Sequence, residues 1–428
     1  MTLPGENWEA MLMRRLRPAL LLTVIGSLQG CVGTTSNLSI PVTGEALPDL
    51  QPFDDLLTSF LVTHNTLGAS VCIAREGRII YARGFGIADT RIAKPVEPHA
   101  LFRIASVSKP ITAAAVMRLI QNCKLKLDDN PFIVLGYADR LRDDDVDPRI
   151  RAITIDHLLH HTAGWDRDQT YDPMFQYSRI SRAMNVPSPP SHAAIIEYMI
   201  GQPLQSDPGS RYAYSNFGYC LLGRVIEKKT GLTYEQYVQQ NILAPLKITS
   251  MRIGGSLPEE RVEFEVRYYD VDGATGSSVF EPGRTVPRPY VGDHEIMDSH
   301  GAWIATATDL VKIAIALNTP DNRLLNRRSL QIMFSPPEGA PGHEPNGDVK
   351  AWFYGCGWNV RPIKDRLYNN WHMGLINGSS TLLVRRYDDL AWAVLFNCDR
   401  SAVNGEPLAG LIDPLMHRAA AKVKVWPR

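Results

Sequence analysis

The sequence lacks an excess of charge of either sign. Its 428 residues contain 45 Lys and Arg against 45 Asp and Glu. Binding to nucleic acid or to an anionic membrane normally needs clustered positive charge, so the composition gives no electrostatic reason to expect either partner. Hydrophobic residues make up 44% and charged residues 21%, which is typical of a soluble globular protein.

Paired cysteines are also lacking. None of the six cysteines belongs to a C-x-x-C pair, and several lie in apolar stretches such as VCIA and YCLLG. We interpret them as small core residues and not as a disulfide framework.

Three common functional patterns are absent or incomplete. There is no G-x-S-x-G elbow, which argues against an α/β-hydrolase. The segments 84–89 (GFGIAD) and 355–360 (GCGWNV) are incomplete G-x-G-x-x-G patterns with no helix after them, so we expect no nucleotide cofactor. His157 and His161 have a zinc-ligand spacing but no adjacent glutamate and no evident third ligand, so we favour packing or loop hydrogen bonding over a metal site.

The N-terminus has no hydrophobic run long enough to span a membrane, but it has the architecture of a secretory signal. Residues 13–31 (MRRLRPALLLTVIGSLQGC) contain a basic patch, a short apolar run and a small residue before Cys31. The ending resembles a bacterial lipoprotein box, in which the cysteine is acylated, although Gln29 departs from the usual small residue. Plain secretion and an uncleaved amphipathic start are the alternatives.

These features predict the organisation of the first fifty residues and the location of the protein. Residues 1–31 would form a signal peptide with lipidation at Cys31, and the Gly-, Thr-, Ser- and Pro-rich residues 32–50 a flexible tether. We expect an exported, periplasmic or cell-envelope lipoprotein that meets the membrane only through its lipid anchor.

Strand patterns occur at both ends of the remaining chain, and helix patterns lie between them. Hairpins are predicted around residues 69–86 and 380–397, and a helix at 53–65. This arrangement predicts one antiparallel sheet built from residues 66–90 and 350–400, with a helical lobe at about 105–330. The Gly- and Pro-rich loop 270–295 is either a lid or an inert insertion.

The only S-x-x-K of the sequence is formed by Ser106 and Lys109 in SVSKPITAAAVMRLIQ. Pro110 suits only the first turn of a helix, and the residues after it are apolar nearly all round, so we expect Ser106 at the start of a buried helix. The i,i+3 spacing places both side chains on one face. A partly desolvated lysine can accept the proton of the serine, and a helix N-terminus offers donors to an oxyanion. A capped helix with a surface lysine is the alternative.

Tyr-x-Asn occurs twice, at 214–216 and at 368–370. The first copy follows a turn and precedes an amphipathic helix, so we interpret it as a loop that points into a cleft, and the second as a turn. We expect neighbouring cations to lower the pKa of the Tyr214 phenol so that it can relay a proton. The amide of Asn216 is suited to bind substrate or Lys109.

A Lys-Thr-Gly tripeptide ends the segment YCLLGRVIEKKTG, at residues 229–231. Lys228 and Lys229 would occupy the last turn of a helix and Gly231 its end, which explains the tripeptide without any catalytic role. A better candidate for a strand facing the serine is His372-Met373-Gly374, which leads into the C-terminal hairpin. Its glycine would permit close approach of a ligand. A strand-end histidine without function is the alternative.

The three motifs S-x-x-K, Y-x-N and H-x-G follow one another in the order described, and the segments 160–165 (HHTAGW) and 300–310 (HGAWIATATDL) are two further landmarks. Together they resemble the serine beta-lactamase-like hydrolases, which include class C beta-lactamases, low-molecular-mass penicillin-binding proteins (DD-peptidases) and family VIII carboxylesterases. The resemblance covers residues 50–420 approximately, within a single catalytic domain at 51–428.

The resemblance implies an α/β fold of the beta-lactamase/transpeptidase type, in which helices flank a five-stranded antiparallel sheet next to an all-helical lobe. It also implies roles for the motif residues: Ser106 as nucleophile, Lys109 as its activator, Tyr214 as general acid and base, Asn216, His372 and Gly374 in substrate binding, and the backbone N–H groups of Ser106 and Leu375 as oxyanion hole.

The departures from the family pattern bear on the substrate. Class C beta-lactamases hold a substrate carboxylate with Lys-Thr-Gly, whereas an unperturbed His372 is mostly neutral above about 6.5 and Met373 has no hydroxyl. We therefore expect an esterase or a D-amino-acid peptidase acting through an acyl-enzyme on an ester, peptide or, weakly, a beta-lactam. A penicillin-binding sensor that is acylated without turnover, or an inactive relative, is the alternative.

Overall fold

The computed structural model describes residues 40–281, 283–317, 324–364 and 367–427. The predicted signal peptide, Cys31 and residues 32–39 of the predicted tether lie outside this part of the chain. Within it, no helix combines the length and apolar composition needed to cross a membrane.

The strands of the described residues form one large sheet and two small ones. They are β1 (Val42–Thr43), β2 (Gly68–Arg75), β3 (Arg78–Asp89), β4 (Lys94–Pro95), β5 (Phe102–Arg103), β6 (Arg252–Ile253), β7 (Thr275–Ser277), β8 (Thr285–Pro287), β9 (Trp303–Ala305), β10 (Phe353–Tyr354), β11 (Asn359–Lys364), β12 (Leu367–Ile376), β13 (Ser379–Arg385) and β14 (Leu390–Phe396).

The large sheet is antiparallel, and its centre joins the two ends of the chain. Its order is β1-β3-β2-β14-β13-β12-β11-β10, with β4 added beside β3. β14 pairs with β2 in a register that runs from Leu390 opposite Arg75 to Phe396 opposite Ala69. Nearly all residues of these two strands are buried, because their apolar side chains point alternately to two faces that are both covered.

The predicted five-stranded sheet is present as β3-β2-β14-β13-β12, and β1, β4, β10 and β11 extend it. The added strands have two to six residues, too few to show a periodicity in the sequence. β1 belongs to residues 32–50, the predicted flexible tether, and pairs with β3 of the sheet. Val42 pairs with Phe85, and the hydroxyl of Thr43 donates to the carbonyl of Val96.

Helices cover both faces of the large sheet. They are α1 (Gln51–His64), α2 (Ser108–Gln121), α3 (Pro131–Leu135), α4 (Ile155–Leu159), α5 (Tyr177–Met184), α6 (His192–Ile200), α7 (Asn216–Thr230), α8 (Tyr234–Val238), α9 (Ala307–Ala316), α10 (Arg327–Met333) and α11 (Leu408–Lys422). α1 and α11 bury one face of the sheet. Phe60 of α1 and Ile412 of α11 belong to the same hydrophobic cluster as Trp392 of β14. α9 packs on the opposite face, against β2 and β14.

The lobe predicted to be all-helical at 105–330 also contains short strands. β9 lies between β5 and β6 in a three-stranded sheet, and β7 and β8 form a hairpin within the loop 270–295. These strands have two or three residues each, so helical periodicity dominates the sequence around them. The described residues of the loop 270–295 do not line the cleft that contains Ser106.

Four of the five cysteines in the described part of the chain are buried, which confirms their interpretation as core residues for Cys72, Cys220, Cys356 and Cys398. Cys123 is exposed instead, just beyond the end of α2 in a left-handed conformation.

Candidate active site

Ser106 lies in a 3-10 turn, Ala105–Val107, that leads directly into α2. The helix itself therefore begins two residues later than the serine. Ala105 has a φ of 47°, a left-handed conformation that costs energy for a residue with a Cβ. β13 holds the preceding backbone in place, because the hydroxyl of Thr381 donates to the carbonyl of Ile104 at 2.8 Å.

Lys109 is fully buried in the first turn of α2. Its Nζ lies 3.1 Å from Ser106 Oγ, 2.7 Å from Asn216 Oδ1 and 3.0 Å from the carbonyl oxygen of His300. Burial lowers the pKa of Lys109 well below its usual value, although the nearby Asp172 carboxylate opposes that shift. A neutral amine has two N–H groups for the two amide oxygens, which leaves its lone pair directed at the serine hydroxyl.

Tyr214 approaches the serine from the other side, because its hydroxyl lies 2.8 Å from Ser106 Oγ and donates to it. Two nitrogen groups lie against its ring: Nζ of the Lys109 amine is 4.7 Å and the Arg167 guanidinium carbon 4.6 Å from the ring centroid. The expected lowering of its pKa is nevertheless wrong for this state. Burial raises the pKa of Tyr214, and the effect of Arg167 is too small to reverse it. The phenol is therefore protonated and acts as a donor.

Asn216 is the first residue of α7, and Ser215 caps that helix by accepting a hydrogen bond from the backbone N–H of Gly218. The cap fixes the backbone conformation at Ser215, between Tyr214 and Asn216. The Asn216 amide donates from Nδ2 to Asp172 at 2.6 Å, so its oxygen faces Lys109.

Two further residues support this arrangement and were not predicted as site residues. Asp172 accepts from Asn216 and caps the turn Pro173–Phe175. The ring of His161 lies between two tyrosines, with centroid distances of 4.3 Å to Tyr214 and 4.5 Å to Tyr354. The HHTAGW landmark contains His161, but a local sequence pattern does not indicate which side chains His161 will contact.

His372 is buried on β12 and faces the same cleft. Its Nδ1 donates to the carbonyl of Met373 at 2.8 Å, which makes Nε2 the acceptor for the Tyr354 hydroxyl at 2.9 Å. Burial lowers the pKa of His372 to about 3, and Lys109 adds to the shift. The imidazole is therefore neutral, and both of its nitrogens are already hydrogen-bonded within the protein.

Gly374 allows a close approach, but to the protein's own backbone. A Cβ at this position would lie 2.3 Å from the carbonyl oxygen of Ile104 and 3.1 Å from the Cβ of Ala105. The glycine therefore lets β12 pack against the turn that carries Ser106. Leu375 follows on the strand opposite Ser380, with 41% of its surface exposed at the cleft.

An open cleft of about 490 Å³ lies between β12 and the helical lobe and is lined by Ser106, Tyr214, Asn216, His372, Gly374 and Leu375. Its wall contains aromatic and apolar side chains together with Ser106, Asn216, His300 and His372. Arg167 is the one ionised side chain in this wall within the described residues. It too was missed by the sequence analysis, since no motif includes it.

The two alternative motifs lie elsewhere in the structure. Lys229 and Gly231 are exposed at the C-terminal end of α7, where Gly231 has a φ of 72°. The expectation of a glycine-capped helix end is thus confirmed. The second Tyr-x-Asn lies within β12 and not in a turn, because Tyr368 pairs with Pro362 of the neighbouring strand β11.

His157 and His161, the pair with a zinc-ligand spacing, do not converge on a common site. His157 Nδ1 accepts from the backbone N–H of Thr154 in a capping box, whereas His161 Nδ1 accepts from that of Ser215. In the described residues no group of His, Cys, Asp and Glu side chains is arranged to hold a metal ion.

Comparison with known proteins places this geometry in a family. A family model described as beta-lactamase matches residues 53–415, which include every residue of the cleft named above. The chain belongs to the beta-lactamase family. The match covers α2 with the serine turn and every strand of the large sheet except β1.

Several members of the beta-lactamase family are similar in sequence. Penicillin-binding protein 4* of Bacillus subtilis (strain 168) is 27% identical over 324 residues, which cover 74% of this chain and 65% of that protein. Esterase EstB of Burkholderia gladioli is 30% identical over 259 residues, covering 60% of this chain and 62% of the esterase. The chain thus spans less than two thirds of the length of either relative.

Solved structures share the beta-lactamase fold. D-amino acid amidase from Ochrobactrum anthropi SV3 superposes with a TM-score of 0.66 at 22% identity, over 88% of this chain and 99% of the amidase. The octameric penicillin-binding protein homologue from Pyrococcus abyssi superposes with a TM-score of 0.64 at 23% identity, over 86% of this chain and 78% of that one.

Proposed function

We propose that this protein is a serine hydrolase that cleaves an ester or amide through a covalent acyl-enzyme on Ser106. One observation carries the proposal: Ser106 Oγ lies within hydrogen-bond distance of both a buried amine and a buried phenol, Lys109 Nζ at 3.1 Å and Tyr214 Oη at 2.8 Å. This arrangement can activate a hydroxyl and protonate a leaving group without a metal or an organic cofactor.

In the acylation step, neutral Lys109 accepts the proton of Ser106 as Oγ attacks the acyl carbon. The negative charge on the former carbonyl oxygen is stabilised by the backbone N–H groups of Ser106 and Leu375. Lys109 then carries the proton, and Tyr214 donates its own phenolic proton to the departing oxygen or nitrogen. The acyl-enzyme then holds a Tyr214 phenolate beside protonated Lys109, and in deacylation the phenolate accepts a proton from water while Lys109 returns its proton to Ser106 Oγ.

In the deacylation step, water attacks the acyl carbon of the Ser106 ester. The Lys109–Tyr214 pair takes one proton from the water and returns one to Ser106 Oγ as the ester bond breaks. The products are a carboxylic acid and the resting enzyme, so atoms and charge balance over the cycle.

The substrate class follows from the neutral imidazole on β12. Because both nitrogens of His372 are bonded within the protein, this strand offers no cation to a substrate carboxylate, in contrast to a Lys-Thr-Gly strand. Similarity to an esterase and to a D-amino acid amidase supports an ester or amide substrate.

A burst experiment with a chromogenic short-chain ester tests the proposal. Wild-type protein should show sustained turnover, Ser106→Ala should show none, and mass spectrometry of quenched wild type should find the acyl group on the peptide that contains Ser106. One turnover followed by no steady state would instead assign the protein to the penicillin-binding sensors. Labelling of a residue other than Ser106 would contradict the mechanism.

Export as a lipoprotein remains a separate proposal, because Cys31 lies outside the described residues. The full chain expressed in a Gram-negative host should incorporate labelled fatty acid and fractionate with membranes, and Cys31→Ser should abolish both. Fatty-acid incorporation that survives Cys31→Ser would contradict it.

A further inference from the structure

The cleft wall carries one fixed charge, the guanidinium of Arg167. The side chain is 40% exposed and belongs to the segment that connects the HHTAGW landmark with Asp172. Its ion pairs with Asp172 at 3.5 Å and Asp168 at 3.9 Å are longer than ordinary hydrogen bonds. Within the described residues it therefore has donors left for another acceptor.

The position of Arg167 relative to the catalytic groups determines which part of a substrate it can contact. The guanidinium stacks on the ring of Tyr214, 4.6 Å from the centroid, and the hydroxyl of that ring contacts Ser106. In the proposed reaction Tyr214 protonates the leaving group, so the leaving group must lie beside this ring. Arg167 is therefore on the leaving-group side of the scissile bond.

Asp172 pairs with this charge only at 3.5 Å, and its closer hydrogen bonds are to other donors. Asp172 is nearly buried and accepts hydrogen bonds from Asn216 and from the backbone N–H of Met174. Burial lowers the pKa values of the two histidines in the wall, His300 and His372, and raises those of its tyrosines, so these groups are uncharged. A planar guanidinium with free N–H groups matches a carboxylate in shape and in charge.

We propose that Arg167 selects substrates whose leaving group carries a carboxylate. The proposal rests on the serine-hydrolase function above and supplies, from the helical lobe, the anion contact that His372 on β12 does not offer. The substrate class is an ester or amide with an acidic leaving group, such as a hydroxy acid or an amino acid with a free carboxylate.

The test compares two acetate esters that differ only in charge, 3-carboxyphenyl acetate and its neutral isostere 3-carbamoylphenyl acetate. For wild type, kcat/KM should be higher for the anionic ester. Arg167→Gln should lower the ratio of the two kcat/KM values by about tenfold, as expected for one charge-assisted hydrogen-bonded contact. Arg179→Gln is the matched control, because Arg179 also stacks on a tyrosine, 4.0 Å from the Tyr171 ring, but lies outside the cleft wall.

The outcomes separate this proposal from the function on which it depends. An unchanged ratio in Arg167→Gln overturns it. An equal loss for both esters with a displaced pH profile also overturns it, since Arg167 would then act on Lys109 or Tyr214 and not on the substrate.

A binding measurement covers the case in which wild type cleaves neither ester and the proposed function fails. The Kd of 3-carboxyphenyl acetate for Ser106→Ala, measured by calorimetry, should rise about tenfold when Arg167→Gln is added. The Kd of the carbamoyl ester should not change. Equal effects on both esters would reject the anion contact even without catalysis.

Discussion

The carboxylate of Asp172 accepts a hydrogen bond from Nδ2 of Asn216 at 2.6 Å, and this contact decides which end of the amide faces Lys109. The amide oxygen then accepts from Lys109 Nζ at 2.7 Å. Asp172 therefore acts on the lysine twice, through the orientation of Asn216 and through its negative charge.

Replacing Asp172 with Asn should move the acidic limb of the kcat/KM profile to lower pH. The new amide oxygen still accepts from Asn216, but the negative charge that raises the pKa of Lys109 is gone. Because the neutral amine is the active form, activity would then persist to lower pH. The measurement is a pH–rate profile with a neutral ester. Asp168→Asn is the control, since Asp168 is 89% exposed in the same loop, and it should leave the limb in place.

Lys229→Gln should keep nearly full activity, because Lys229 is exposed at the end of α7 and does not line the cleft. Its effect on stability should not exceed about 1 kcal/mol, the range for a cation at a helix C-terminus. Steady-state kinetics and urea unfolding measure the two effects, with Lys109→Ala as reference. A loss of activity as large as that of Lys109→Ala would restore a catalytic role to the Lys-Thr-Gly tripeptide.

Gly374→Ala should strongly impair catalysis, since the new Cβ would lie 2.3 Å from the carbonyl oxygen of Ile104. β12 must then move away from the turn of Ser106, at a cost of about 1–3 kcal/mol for overpacking. The measurements are kcat and urea unfolding. Gly410→Ala in α11 is the control, because a Cβ there meets no atom within 4 Å and alanine favours a helix. Full activity in Gly374→Ala would contradict this account.

His372→Gln should make the protein less sensitive to acid. The folded-state pKa of His372 is about 3, below the ordinary value of 6.5. Between these two pH values the imidazole is protonated in the unfolded chain and neutral in the folded chain. The resulting stability is fully present above 6.5 and is lost as the pH falls toward 3. Without this group, the slope of unfolding free energy against pH between 4 and 6 should fall by up to about 1.4 kcal/mol per unit. Equal slopes for variant and wild type would show that the buried imidazole already binds its proton in that range.

Local patterns were sufficient for most of the sheet. β2, β3, β13 and β14 contain long apolar or alternating segments with clear turns between them, and all were predicted. β1 and β4 lie outside the ranges predicted for the sheet, whereas β10 and β11 lie inside the range 350–400 but were not identified as separate strands. Hydrogen bonding to an existing edge stabilises such short strands more than their own few residues do.

The aromatic packing around Tyr214 shows why the prediction of its pKa was wrong. The sequence suggested cations near the phenol, and the structure places the Arg167 guanidinium and the buried Lys109 amine against its ring. It could not show that His161 and Tyr354 would exclude water from the same ring. Desolvation is a property of the packed environment, and here it outweighs the effect of Arg167.

The sequence by itself determined the order of the motifs, the pairing of Ser106 with Lys109 on one helical turn, and the reading of Lys-Thr-Gly as a helix end. The order of the motifs is read directly from the chain, and the other two depend on residues within one or two turns of each other, where backbone geometry sets the distances. Only the tertiary structure decided that Asp172 orients Asn216, that Gly374 faces Ile104, and that Arg167 stacks on Tyr214. These contacts join separate segments of the chain, so their geometry arises from packing and not from spacing.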